Sequence, residues 1–292
     1  MKVSVVLEMK PRLAAVDVRD LTFTYLGSAK PSISELNFSI DEGQFVVLTG
    51  PSGCGKTSVC RCLNGLIPHF YSGELRGGII VCGLNVREKS TSELAKKVGF
   101  VFQNPENQLF SLSVERDVAF GPENLGLSRS ETRERIEWAL EVTGISNLRY
   151  RAPYELSGGQ QQRAAISAVL AMKPEVMVLD EPTSFLDPKS AAEILKVVHS
   201  LNRELGMTIV LVEHRLDLAS QYADRIIIMD RGEVILDGKP SDVFNERARL
   251  IGVGIPRITL LAQLLQKDGM PFPTIPVTVK EASATLRRSL SP

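Results

Sequence analysis

The stretch QFVVLTGPSGCGKTSVCRCLNGL, Gln44 to Leu66, leaves its chain little choice of fold. QFVVLTG is a near-continuous apolar run ending in glycine, which suits a central strand covered on both faces. KTSVCRCLNGL after it has helical spacing. Between them, Gly50, Pro51, Ser52, Gly53, Cys54, Gly55, Lys56 and Thr57 fit the pattern G-x4-G-K-[ST] in full. Glycines let the backbone wrap close, so that its N–H groups can cradle a β-phosphate. Lys56 reaches the β and γ oxygens, and the Thr57 hydroxyl can ligate Mg2+. A chance glycine-rich turn would lack this strand before and helix after.

The rest of the chain reads as alternating strands and helices. AAVDVRDLTFTY and ISELNFSI alternate apolar and polar residues, and DEG (Asp41 to Gly43) reads as a turn. GGIIVCG reads as a short strand and KKVGFVFQ (Lys96 to Gln103) as a buried one. EVMVLDEP and MTIVLVEH are further apolar strands. RIIIMDRGEVILDG reads as a hairpin turning at Arg231-Gly232. Ser128 caps a helix that runs to Gly144. The expected fold is α/β, with a mainly parallel sheet and an antiparallel β subdomain beside it. Composition shifts after about Asn245. Ile258, Leu261, Leu264 and Leu265 share one helical face, PFPTIP breaks that helix, and Thr278 with Glu281 forms a capping box for a last one. Residues 246–292 therefore read as a small helical appendage to a domain spanning 1–245.

Charge narrows the function. Lys plus Arg number 34, as do Asp plus Glu, so no bulk basic surface is offered to nucleic acid. The four cysteines form no CxxC pair, which argues against a zinc site or disulfide framework. No apolar run approaches the ~18 residues of a membrane span. The opening MKVSVVLEMK is too short for a signal-peptide core. A cytoplasmic protein is expected, one that reaches a membrane only by holding a partner.

Other residues suit phosphate chemistry. Asp180 and Glu181 end the strand VMVLD, where one acid can orient Mg2+ and the next can position or deprotonate water. Gln103 ends GFVFQ and can reach Mg2+ or water. His214 follows TIVLVE and can contact a γ-phosphate. Tyr25 ends the first strand, where its ring can stack on an adenine. Ser157, Gly158, Gly159 and Gln160 head a helix, and such a turn bares N–H groups to an anion. The chain thus carries two phosphate grips, far apart in sequence.

These residues resemble the ATP-binding cassette (ABC) ATPases. LSGGQQQR is close to the family signature, and the other pieces come in family order over roughly residues 15 to 240. They are Tyr25, the phosphate loop, Gln103, the signature, Asp180-Glu181, the loop SFLD (Ser184 to Asp187) and His214. Phe185 stands where the family more often has alanine. The resemblance implies a P-loop cassette with a helical signature subdomain over about 104–170. It implies ATP and Mg2+ as cofactors, with nucleotide contacts from Tyr25, Gly50 through Ser58, Ser157 to Gln160 and Asp187. Metal contacts would come from Thr57, Gln103 and Asp180, and catalysis from Lys56, Gln103, Glu181 and His214. It also implies a second cassette chain, identical or paralogous, paired head to tail. The signature of each chain would then cap the γ-phosphate held by the other.

FQNPENQLFSLSVERDVAFGPENLGL (Phe102 to Leu127) and LNGLIPHFYSGEL (Leu63 to Leu75) are similar to the cassettes of energy-coupling factor (ECF) importers. That likeness implies a transmembrane coupling protein and a substrate-binding membrane component as partners. It also implies a peripheral place on the cytoplasmic face of the membrane and a vitamin, vitamin precursor or metal ion as cargo. The appendage resembles the short dimerisation segment of that group. The alternative is a soluble cassette ATPase of DNA repair or translation. Those tend to carry a long coiled-coil insertion or two cassettes in one chain, and neither is seen here. A cassette with a dead site is disfavoured by Gln103, Glu181 and His214 together.

Overall fold

Strand length and burial separate two sheets in the computed structural model, which describes residues 14–270, 272 and 274–290. The strands are β1 (Ala14–Tyr25), β2 (Ile33–Asp41), β3 (Phe45–Thr49), β4 (Gly73–Val81), β5 (Leu84–Asn85), β6 (Val98–Val101), β7 (Val176–Asp180), β8 (Thr208–Val212), β9 (Arg225–Asp230) and β10 (Glu233–Gly238). The long alternating strands make an antiparallel sheet in the order β2-β1-β4-β5. The short apolar ones make a second sheet, β10-β9-β3-β8-β7-β6. Its neighbours are parallel except for the β9–β10 hairpin. Every residue of β3, β7 and β8 is buried. Sheets of this kind have both faces covered, which is why these strands read as unbroken apolar runs.

This order positions the site. β3, β8, β7 and β6 are consecutive neighbours, and all four run parallel. The phosphate loop, the Glu213-His214 segment, Glu181 and Gln103 all follow the carboxyl ends of these strands. Ligands of open α/β sheets bind at that edge.

Helices Val114–Asn124, Arg129–Val142 and Gly158–Leu170 build the expected helical subdomain. Ser128 caps the second, accepting from the Glu131 N–H while Glu131 Oε2 takes the Ser128 N–H. Their buried side chains (Val118, Ile136 and Ile166 among them) share one core with Phe45, Leu179 and Ile209 of the sheet. The subdomain is therefore packed onto the body that carries the phosphate loop rather than tethered to it.

Several boundaries move. The first strand-flanking helix is Lys56–Leu63, ending before Gly65, whose φ of 78 no continuing helix allows. β4 begins at Gly73, earlier than GGIIVCG suggests, because it pairs along β1 as far as Tyr25. β6 stops at Val101, so Gln103 sits on the loop beyond it. After residue 245 the chain does not leave the body: Ala248 and Val253 are buried in the main core. Helices Arg257–Lys267 and Val279–Leu290 follow. The capping box of the second is present, with the Glu281 N–H donating to Thr278 Oγ1 at 3.1 Å and Glu281 Oε2 accepting from the Thr278 N–H at 3.3 Å. Thr259 and Ala262 bury against the rest, while Leu261 and Leu264 are about half exposed. The reading of MKVSVVLEMK, and of Pro271 and Pro273 as breakers, lies outside the described residues.

Candidate functional site

The phosphate loop is wedged so tightly that only glycine fits at its ends. Gly50 has φ 149, and a Cβ there would lie 2.1 Å from the Met229 carbonyl oxygen of β9. Gly55 has φ 107, and its Cβ would meet the Ser32 carbonyl oxygen at 2.3 Å. Inside the loop Lys56 is folded back and buried, with Nζ donating to the carbonyls of Gly50 and Pro51 at 3.0 Å each. The ammonium is thus preset within the loop. A cavity of about 200 Å³ opens beside it, lined by Ser32, Ser52, Gly53, Lys56, Thr57 and Glu181 among others. Ser32 escaped sequence reasoning. The Gly55 approach that brings it there is a contact between distant segments.

Two neighbouring acids have opposite environments. Asp180, at the end of β7, is 6% exposed, and burial pushes its carboxyl up in pKa. The Thr57 hydroxyl, donating to Asp180 Oδ1 at 3.3 Å, opposes that shift. Glu181 steps out of the strand with φ 50, a left-handed conformation that costs a non-glycine residue about 1–2 kcal/mol. Its backbone N–H is held by the Val212 carbonyl of β8 at 3.1 Å. Strain of this kind persists only where the surroundings fix it.

Three side chains converge on the Glu181 carboxylate. Gln103 Nε2 donates to Oε2 at 2.9 Å, the Ser184 hydroxyl donates to Oε2 at 3.0 Å, and His214 Nε2 lies 3.0 Å from Oε1. The His214 bond, first among the causes, holds this carboxyl below its usual range against a smaller opposing effect of burial. The ionised form is what a water-polarising base needs. Ser184 was not anticipated as a contact.

Tyr25 sits half-buried beside the loop. Its hydroxyl is 3.0 Å from Ser58 Oγ and accepts from Arg61 Nη1 at 3.2 Å. Its ring meets Phe23 and Tyr71 edge-on, at 4.7 and 6.2 Å between centroids, and the Arg61 guanidinium covers Tyr71.

The signature residues are not brought into the phosphate-loop cavity. Ser157 caps helix Gly158–Leu170, and Gln160 Oε1 turns back to accept the Ser157 N–H at 3.0 Å. Ser157, Gly159 and Gln160 line a separate polar cavity of about 340 Å³ with Asn147, Arg163 and Ser190. Gly158 and Gly159 abut the segment that follows Glu181: added Cβ atoms would lie 3.3 Å from Leu186 Cδ2 and 3.1 Å from Ser190 Cβ. Asp187 does not line the phosphate-loop cavity either. Its carboxylate caps helix Pro188–Leu205, accepting from the N–H groups of Lys189 and Ser190 and from the Ser190 hydroxyl. One chain therefore holds a phosphate loop with its acids, and a glycine-headed helix start that lines a different cavity.

The family model described as ABC transporter matches residues 33–184. The chain belongs to the ABC transporter family. It is 48% identical over 257 residues to a putative ABC transporter ATP-binding protein of Pyrococcus horikoshii, covering 87% of this chain and 90% of that one. It is 41% identical over 283 residues to the energy-coupling factor transporter ATP-binding protein EcfA2 of Caldanaerobacter subterraneus, covering 94% and 97%. Among solved structures it is similar to cbiO1 of Clostridium perfringens, part of the ABC transporter complex cbiONQ, at TM-score 0.73 and 34% identity over 87% of this chain and 99% of that one. It also matches the dimeric, post-hydrolysis MJ0796 cassette bound to ADP and Pi, at TM-score 0.67 and 31% identity over 77% and 98%. The protein is thus an ATP-binding, ATP-hydrolysing subunit of an ABC transporter with the cassette fold. No helix among its described residues is long and apolar enough to cross a membrane.

Proposed function

We propose that this ABC subunit powers uptake of a small molecule, such as a vitamin, vitamin precursor or metal ion, by an ECF-type membrane importer. The observation that carries the catalytic reading is the convergence of Gln103, Ser184 and His214 on the Glu181 carboxylate beside a complete phosphate loop. ATP lies with its phosphates along Gly50 to Ser58, the Lys56 ammonium between β and γ oxygens, and the adenine against Tyr25. Glu181 takes a proton from the water that attacks the γ-phosphorus, while Gln103 and His214 orient around the same centre. Thr57 and Asp180, already 3.3 Å apart, form a paired hydroxyl and carboxylate suited to Mg2+, with Gln103 as a third contact. When bound, the ion supplies charge neutralisation on the phosphates. ADP and phosphate are the products.

The separation of the two anion grips supports head-to-tail pairing. Ser157 and Gly159 would close on the γ-phosphate of a second cassette, with Asp187 holding the intervening loop through its cap. The MJ0796 relative is dimeric, which supports pairing of two cassettes. We assign residues from about 256 onward to nucleotide-independent association, through the exposed Leu261 and Leu264. Leu261→Asp with Leu264→Asp should keep the melting temperature and lower the sedimentation-derived dimer affinity about tenfold. An unchanged affinity would mean that this stripe serves no partner chain.

The coupling surface follows Gln103. Gln108 Oε1 accepts the Phe102 N–H, and Asp117 Oδ1 takes the N–H groups of Phe110 and Ser111. The segment is thereby fixed to the site while Phe110, Leu112 and Phe120 stay more than half exposed. Large exposed apolar patches mark interaction sites. A transmembrane coupling protein, carrying a substrate-binding membrane component, fits this surface and the ECF-type relatives. The chain alone should remain in solution and float with vesicles only when they contain that coupling protein. Tight binding to protein-free liposomes contradicts the peripheral role.

A further inference from the structure

Glu213, between β8 and His214, is a carboxylate with no assigned role and 1% exposure. A buried charge of this kind is costly unless paired. Among the described residues Glu213 has no basic side chain within ion-pair distance. Its oxygens are met by uncharged or main-chain donors: the Thr183 hydroxyl on Oε1, and the N–H groups of His214 (2.8 Å) and Arg215 (3.3 Å) on Oε2. Thr183 is itself fully buried. An apolar pair would fill the same space without the desolvation cost, so this carboxylate is hard to explain as a source of stability.

Its neighbours suggest another role. Thr183 lies in the turn that Glu181 begins and Ser184 closes, with the Ser184 N–H on the Glu181 carbonyl at 3.2 Å and its hydroxyl on the Glu181 carboxylate. The other end of Glu213 holds the main chain of His214, whose ring also meets that carboxylate. Next along, Arg215 Nη2 donates to the Leu186 carbonyl at 2.8 Å, and Leu186 abuts signature Gly158. The segment 213–215 thus grips 183–186 at both ends, and the residues joined by the buried bond, Thr183 and Glu213, flank in sequence the residues of the Glu181–His214 contact.

We propose that Thr183 and Glu213 are a positioning pair that holds the Glu181 turn in register with His214, and so sets the geometry for hydrolysis. This rests on the catalytic reading of Glu181 given above. Neither residue lines the phosphate-loop cavity. Both act through others, so they govern turnover rather than binding. Misplacement of reacting groups by about 1 Å can cost on the order of 10²-fold in rate.

Steady-state Mg-ATP hydrolysis by the purified full chain tests this with four variants. Thr183→Val should lower kcat about tenfold or more and leave the ATP KM within about twofold, the pattern of a lost transition-state arrangement. Thr183→Ser, which keeps the hydroxyl, should retain kcat within about twofold of the parent. The double variant Thr183→Val with Glu213→Leu removes the unsatisfied carboxylate and should recover the melting temperature, as apolar replacements of buried polar pairs often do. Its kcat should stay low. Recovery of kcat along with stability would reduce the pair to a packing role and overturn the proposal, as would equal losses in the Val and Ser variants. If Thr183→Val does not fold, the double variant decides alone. Glu181→Gln run alongside separates the two levels. Normal turnover in it sinks the catalytic reading itself, whereas normal turnover confined to the pair variants sinks only the positioning role.

Discussion

Glu181→Gln is expected to bind ATP as the parent does and to hydrolyse it about 10²-fold more slowly or worse, the scale usual for loss of a general base. The amide keeps the shape of the side chain and its place in the turn. It loses the charge, and with it the capacity to take a proton from water. The surroundings predict a clean effect. Lys56, the proposed phosphate ligand, bonds Gly50 and Pro51 and not Glu181, so binding should be carried by other contacts. The Ser184 hydroxyl and the strained φ of 50 will hold the glutamine where the glutamate was. Single-turnover hydrolysis with a separate measurement of ATP affinity gives both numbers. A variant that hydrolyses within about threefold of the parent would move the base elsewhere.

Lys56→Ala is expected to lose tight ATP binding, with turnover falling to background. The ammonium is 4% exposed and held by two carbonyls of its own loop, so it meets the phosphates without first having to be ordered. Hydrogen bonds to charged groups contribute about 1.5–3 kcal/mol each, so affinity should weaken at least about tenfold. Alanine also leaves the Gly50 and Pro51 carbonyls without this donor, which adds to the loss. Titration with a fluorescent ATP analogue checks it, with circular dichroism to confirm the fold. Near-parental affinity would mean that the loop amides alone carry the phosphates.

How much of this was legible in the sequence depended on range. The strands β3, β7 and β8 were plain because burial on both faces writes an unbroken apolar run. The phosphate loop was plain because its glycines and lysine are adjacent. The Thr278 capping box was plain for the same reason: both partners lie within one turn. What the sequence hides is convergence. Gln103 and His214 come from two other loops, and only the parallel order of β6, β7 and β8 brings them to the Glu181 carboxylate, whereas Ser184 reaches it from within the same turn. The left-handed backbone at Glu181 follows no local rule, since glutamate gives no signal for it. The burial of Ala248 and Val253 was missed because NERARLIGVG is polar and short of apolar spacing, yet tertiary packing buries two of its residues. The helix cap formed by Asp187 was not read from the sequence, although its partners lie within one turn.

On the reading proposed above, the phosphate loop and the signature helix start serve two different nucleotides, and ATP holds the dimer together. Size-exclusion chromatography of Glu181→Gln with Mg-ATP, with and without added Ser157→Arg, measures that assembly. Glu181→Gln alone should elute as a dimer with Mg-ATP and as a monomer, or a weaker pair joined through the C-terminal helices, without it. Arginine at residue 157 places bulk and positive charge at the start of helix Gly158–Leu170, outside the lining of the chain's own phosphate-loop cavity. ATP should still bind to each chain, and the ATP-dependent dimer should disappear. A dimer that persists in the double variant, or that never forms in Glu181→Gln with ATP bound, would contradict the head-to-tail role of the signature.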